Sequence, residues 1–260
     1  MIAKIVANGR NSAPRPSEST LCIGIGAIAR TAVSFEKLPE LRKELSLRFK
    51  DTLTSSVVKN ADEQSLVALS AMSEAIQQMP MRSAADWGVI ATPRYFGRSR
   101  CAEMIRKYRD QGAWSASPHI IPQCMLHSLS GLLSQAFGIT GPNIGAGGSR
   151  GGEREALLAA FGWLSAGKLP GVWLIMTSWD SEETAYSSGV CHAVVVALKS
   201  STTGSTRLRL KPAGSGENLE PFSLESLTDE LTNEWSRPVT WDMSHVGTLH
   251  LEPSNQFQIV

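Results

Sequence analysis

The chain has 260 residues, of which 42% are hydrophobic, enough to fill a substantial core and too many for an intrinsically disordered protein. Lys and Arg number 25 against 24 Asp and Glu, a net charge of +1, so no overall field directs the molecule to nucleic acid or an anionic membrane. Four cysteines (Cys22, Cys101, Cys124, Cys191) without a CxxC pair argue against a zinc knuckle and a dithiol redox motif and fit a reduced, cytoplasmic protein; the start Met1 to Val6 lacks the long apolar stretch expected of a signal peptide, and no run reaches the ~18 apolar residues of a membrane span.

Two short apolar runs, Ile2 to Val6 and Leu21 to Ile28, read as strands on either side of the polar stretch Asn11 to Thr20. From Asp62, a natural N-cap, residues Leu66, Leu69, Met72, Ile76 and Met79 recur at spacings of three and four and predict a helix ending before Pro80. Trp87 to Thr92 reads as a buried strand, and Arg98 to Tyr108 as a basic helix. After the proline-marked loop 117–122, residues Met125 to Phe137 form another helical stripe, closed by Gly138. A glycine-rich loop, Gly141 to Gly152, leads into a helix with Ala156, Leu157, Ala160, Trp163 and Leu164 on one face and Gly167 at its end. Val172 to Met176 and Val190 to Leu198 are continuous apolar runs of the kind found in strands covered on both faces. Beyond Ser200, a short strand Arg207 to Leu210 and a helix Ser223 to Trp235 stand among Ser, Thr, Gly and Pro. The alternation implies an α/β layer architecture.

The stretch Gly145 to Gly152 carries five glycines in eight residues and opens a helix, so backbone amides and the helix dipole converge on one point. A phosphate cradle would need a Gly-Lys-Ser/Thr ending, which is missing. A nucleophile elbow is the second reading: Gly147-Gly148-Ser149-Arg150-Gly151 satisfies G-x-S-x-G, and Asp180 followed by His192, His245 or His250 stands in suitable chain order. The preceding Gly141-Pro-Asn-Ile-Gly-Ala is nevertheless a poor core strand, and no oxyanion motif lies upstream. A plain turn that lets helix and strand pack closely also accounts for the glycines.

The ordered run Ile121-Pro122-x-x-Met125-x-His127-x-x-Ser130-Gly131-x-x-x-x-Ala136-Phe137-Gly138-Ile139-x-Gly141-Pro142-Asn143, followed by the glycine loop and Ala156-Leu157-x-x-Ala160, resembles the N-terminal half of β-ketoacyl synthases, of thiolase-like fold. The likeness covers roughly residues 60 to 200. It implies a mixed sheet with helices on both faces over residues 1–200, with 201–260 as a C-terminal extension packing on it. In that family a cysteine stands at the start of the helix after this loop, where amides and dipole lower its pKa and form an oxyanion hole. Counting from Gly141-Pro142 and from Ala156-Leu157 places Arg150 at the cysteine position, in a vestigial loop of Gly147, Gly148, Ser149, Arg150, Gly151 and Gly152. A guanidinium stays protonated and forms no thioester. The family's two catalytic histidines come from a second half of the fold, for which the residues after Leu198 leave no room. The resemblance thus implies a catalytically inactive partner or scaffold of chain-length-factor type in fatty-acid or polyketide-type biosynthesis. It would dimerise with itself or with a ketosynthase subunit, and acyl carrier protein is a further partner. A serine acyltransferase or hydrolase using Ser149 is the alternative.

Other features weigh less. Gly24-Ile-Gly26-Ala-Ile-Ala29 matches a dinucleotide fingerprint but lacks the following amphipathic helix, so a glycine-bearing strand is expected. Arg98, Arg100, Arg106, Lys107 and Arg109, with Arg94 before them, form one basic segment, read as a solvated face or a docking surface for an acidic carrier protein rather than for nucleic acid. His119 and His127 border the helix before the loop, with His127 expected to hydrogen-bond at a helix interface, and His192 reads as a core histidine. No His/Cys/Asp/Glu set has metal spacing, and no cofactor is expected. Trp173 and Trp179 are expected in the core, and Trp235 and Trp241 as anchors of the extension.

Overall fold

The computed structural model describes residues 20–79, 85–117, 124–148, 151–180, 189–200, 206–212, 219–233 and 238–253. The expected strand Ile2 to Val6, the stop at Pro80, His119, Pro122, Trp235, Ser149 and Arg150 lie outside them.

Strand β1 (Leu21–Ser34) opens the fold and is followed by helices α1 (Leu38–Arg48), α2 (Ser55–Asn60) and α3 (Glu63–Gln77). Next come β2 (Gly88–Pro93), α4 (Arg98–Gln111), α5 (Leu126–Phe137), β3 (Asn143–Gly145), α6 (Gly152–Ser165), β4 (Gly171–Trp179) and β5 (Val190–Lys199). Strand β6 (Thr206–Pro212), α7 (Leu224–Thr232), β7 (Val239–Asp242) and β8 (Gly247–Glu252) complete it. All eight strands share one sheet in the order β3-β2-β4-β5-β1-β6-β8-β7. β3, β2 and β4 run parallel, and β5, β1, β6, β8 and β7 pair antiparallel in turn.

Both faces of the central strands are covered, which is why β4 and β5 read as unbroken apolar runs. Residues such as Trp173, Ile175, Ala193 and Val195 face α1, α3 and α5, while Leu174, Met176, Val194 and Val196 face α6 and α7. Helix α3 lies in the middle of the first layer, buried at nearly every position from Gln64 to Ala75. Asp62 caps it by accepting the Gln64 amide at 2.9 Å, as its sequence position predicts.

Strand β1 runs six residues beyond the expected end at Ile28, because it pairs with the whole of β5 as far as Ser34 opposite Val190. Polar Arg30 and Thr31 hide this from the apolar pattern; Arg30 stays exposed and reaches the exposed Asp229 of α7 at 3.0 Å. The Gly24-to-Ala29 stretch is strand, with a register shift between Ile25 and Ala27. The chain after residue 200 extends the sheet outward from β1 through β6, β8 and β7, and α7 covers the same face as α6. Ser223 and Ser226 cap α7 reciprocally. Trp241 is buried edge-on against Phe222 at 5.8 Å and ties β7 to the start of α7. Trp173 is fully buried beside Trp87, whereas Trp179 is only partly buried, next to Phe35.

Candidate functional site: the glycine loop and its polar floor

The parallel strands β3, β2 and β4 finish at the same edge of the sheet, with Ala91 opposite Gly145 and Pro93 opposite Thr177. In such sheets the carboxyl ends of the strands are where ligands bind. The glycine loop crosses this edge: Ala146 donates to Ala91 at 2.8 Å, and Tyr95 donates to the Gly148 carbonyl at 3.1 Å. The sequence demands glycine here for close packing as much as for chemistry. A Cβ on Gly147, which has φ of +72°, would lie 2.6 Å from the Gly152 Cα, so the loop is folded back on the first residue of α6. A Cβ on Gly145 would lie 2.3 Å from the Leu126 carbonyl carbon, because the start of α5 rests directly on β3.

Beneath the loop lies a buried polar floor. Gln64 of α3 accepts a hydrogen bond from the Thr177 hydroxyl at 2.6 Å and donates to the Arg94 carbonyl at 3.0 Å, joining the ends of β4 and β2. The Arg94 guanidinium meets the Glu153 carboxylate at 3.0 Å, the two side chains being 14% and 3% exposed. Glu153 stands in the first turn of α6, where the helix dipole favours an anion. The second Glu153 oxygen and the Thr92 hydroxyl have no hydrogen-bond partner among the described residues. Thr92 lies directly under the fold-back, its oxygen 3.1 Å and 3.0 Å from the Cβ positions of Gly147 and Gly152. Arg154 covers Gly151 and donates to Ser244 of the C-terminal region, so the 244–246 turn sits against the first turn of α6.

Of the candidates read from sequence, the structure brings Gly147, Gly148, Gly151 and Gly152 together at this edge, while Ser149 and Arg150 lie outside the described residues. Asp180 and His192 pair with each other at the ends of β4 and β5. His192 alternates with Cys191 and Ala193 and so points to the α6 face, its Nδ1 buried without a partner among the described residues. β5 is two strand spacings from β2, about 10 Å from the strand end that the loop covers. His127 stays within its own helix, its Nδ1 3.4 Å from the Ser130 hydroxyl. His250 lies between Thr240 and Thr248 on the outer strands, and His245 is in the 244–246 turn. Sequence reading missed Gln64, Thr177 and the Arg94–Glu153 pair, because residues 59 apart carry no spacing signal.

The basic segment forms α4, exposed along most of its length. Arg100 turns inward to the Ala61 carbonyl at 3.0 Å. Lys107 pairs with Glu103 at 2.8 Å and Arg109 with Asp110 at 2.8 Å, Arg106 reaches the Ala102 carbonyl at 3.3 Å, and Arg98 lies over the Tyr95 ring. Two cysteines have thiols pushed away from the reactive thiolate: burial drives Cys191 well above its ordinary value and, with Cys101 beside it, Cys124 up to about 12. Among the described residues no cluster of His, Cys, Asp or Glu could hold a metal, and no helix is long and apolar enough to cross a membrane.

No protein-family model and no curated protein matches the chain. Solved structures do. A chain of the complex between ketosynthase ApeO and its chain length factor ApeC from Xenorhabdus doucetiae matches with a TM-score of 0.57 and 14% identity, over 90% of this chain and 100% of that one. The AntDE:AntF complex, a type II polyketide acyl-carrier protein with its hexaketide-bound ketosynthase, matches with a TM-score of 0.52 and 11% identity, over 68% of this chain and 62% of that one. The ishigamide ketosynthase/chain length factor matches with a TM-score of 0.50 and 12% identity, over 72% and 65%. The chain thus has the thiolase-like α/β fold that ketosynthases and chain length factors share.

Proposed function

We propose that this protein is a catalytically inactive ketosynthase-like partner subunit, acting in the manner of a chain length factor in fatty-acid or polyketide-type biosynthesis. The observation that carries this reading is the chemistry at the start of α6. Arg150 takes the place that the family resemblance assigns to the nucleophilic cysteine, and the first turn of the helix is neutralised from within by Glu153 and Arg94. The edge strand β3, with α5 resting on it, is the surface for pairing with a ketosynthase or a second copy. The basic face of α4, through Arg98, Arg106, Lys107 and Arg109, is the surface for an acidic acyl carrier protein, and Arg100 anchors that helix to the body. The likeness to complexes of ketosynthases with a chain length factor and with a carrier protein suits such roles.

The test is covalent. Incubated with an acyl thioester, the protein is expected to show no adduct by intact mass, and mixed with a type II ketosynthase it is expected to form a heterodimer by native mass spectrometry. Acylation of any cysteine overturns the inactive reading. A second reading, a serine acyltransferase or hydrolase, rests on Ser149 in the Gly147-Gly148-Ser149-Arg150-Gly151 pattern. A fluorophosphonate adduct that disappears in Ser149→Ala would establish it.

A further inference from the structure

Away from the glycine loop, two of the four cysteines meet. Cys101 lies in the first turn of α4 and is exposed; Cys124 lies just before α5 and is half-buried. Both converge on one backbone group: the Cys101 amide donates to the Gly97 carbonyl at 2.9 Å, and the Cys124 thiol approaches the same oxygen at 3.6 Å. Burial first, and then Cys101 beside it, push the Cys124 thiol upward. Gly97 makes the approach possible, since a Cβ there, at φ of +69°, would lie 2.7 Å from the Cys124 Cα. Cys22 lies on β1 and Cys191 is fully buried on β5. Helix α4 has no buried residue among those described, and Arg100 in its first turn reaches the Ala61 carbonyl at 3.0 Å.

We propose that Cys101 and Cys124 are a reversible redox pair, whose disulfide staples the first turn of α4 to the chain leading into α5. With a hydroperoxide as oxidant, the exposed Cys101 sulfur attacks the peroxide oxygen; the S–O bond forms, the O–O bond breaks, and the departing oxygen leaves as water or alcohol after taking the thiol proton. Cys124 then attacks the sulfenic sulfur, the S–S bond forms, the S–O bond breaks, and a water molecule leaves with the second thiol proton. Two electrons pass from the two thiols to the peroxide, and a dithiol reductant reverses the change. Cys101 is the first to react because it is exposed, while burial holds Cys124 as the thiol until its partner is activated. The thiol chemistry needs neither a ketosynthase nor a carrier protein, so its failure and that of the proposed partner role are distinguishable.

The experiment treats the intact protein with hydrogen peroxide, denatures it in N-ethylmaleimide and weighs it. Fully reduced protein takes one maleimide on each of its four cysteines. The oxidised protein is expected to take two fewer, with tryptic peptides 101–106 and 110–150 linked and dithiothreitol restoring full labelling. Full labelling after oxidation, a sulfinic Cys101 beside a labelled Cys124, or a link between different molecules overturns the pair. Hydrogen exchange reads the staple: exchange over residues 98–104 is expected to slow several-fold on oxidation in the wild type and to stay unchanged in Cys124→Ser. A confirmed disulfide that leaves this exchange unaltered overturns the structural consequence.

Discussion

The floor under the glycine loop and helix α4 are both rich in charge, but they use it in opposite ways. Under the loop, Arg94 and Glu153 are almost wholly buried and close on each other, with Gln64 and Thr177 joining two strand ends beside them. On α4 the charges of Lys107 and Arg109 meet only near neighbours on the same helix, in solvent. A charge out of water is tolerated only when it is paired, so the loop site is a locked structural element, whereas the α4 charges cost little and remain able to exchange partners. The proposed partner role accordingly assigns contacts with other molecules to the surface of the fold rather than to the start of α6.

The largest effect that would break this comparison is at the floor. Glu153→Ala removes the carboxylate 3.0 Å from the largely buried Arg94 guanidinium and is expected to destabilise by about 3 kcal/mol in urea unfolding. A loss under about 1 kcal/mol would mean that water reaches the pair and that the floor is not locked. Next is Gly147→Ala, where the new Cβ meets the Gly152 Cα in a left-handed conformation; a loss of about 2 kcal/mol is expected, and a neutral result would show that the loop moves freely off α6.

Asp62 sharpens the contrast through pH. Burial first, with Glu63 beside it, pushes its carboxyl from 3.8 up to about 7 in the folded protein. The folded state therefore holds the proton more tightly than the unfolded chain, so this contribution to stability is complete below pH ~4 and is lost as the pH rises towards 7. Asp62→Asn keeps a good helix cap and is expected to flatten the fall in melting temperature across that window. An identical pH profile for the two proteins refutes the shift. The smallest effect is on α4: Arg109→Glu is expected to change stability by less than about 0.5 kcal/mol while weakening binding of an acidic carrier protein most at low salt. Unchanged affinity would remove α4 from the docking surface.

Much of the fold was legible because burial imposes a period. The stripe in α3, the apolar runs of β4 and β5, the Asp62 cap and the stop at Gly138, which has φ of +63°, all stand where local pattern puts them. Strand β1 was shortened because its second half carries the exposed Arg30 and half-buried Thr31, and no local rule reports its pairing with the distant β5. The glycine loop was recognisable as special, but its floor was not. Gln64, Thr92, Arg94, Glu153 and Thr177 come from α3, β2 and its exit, α6 and β4, and only the sheet order brings them together.

The amino-acid sequence by itself determined the α/β class and the helices and strands with a strong period, since these depend on neighbours within one or two turns. Tertiary structure alone decided how the strands after residue 200 extend the sheet, that Glu153 turns inward to Arg94 rather than out to solvent, and that Cys101 and Cys124 share a carbonyl. The physical reason is range. Periodicity records which face of an element avoids water, whereas charge pairs and thiol contacts depend on which elements are packed side by side, and that is settled by the closing of the whole sheet.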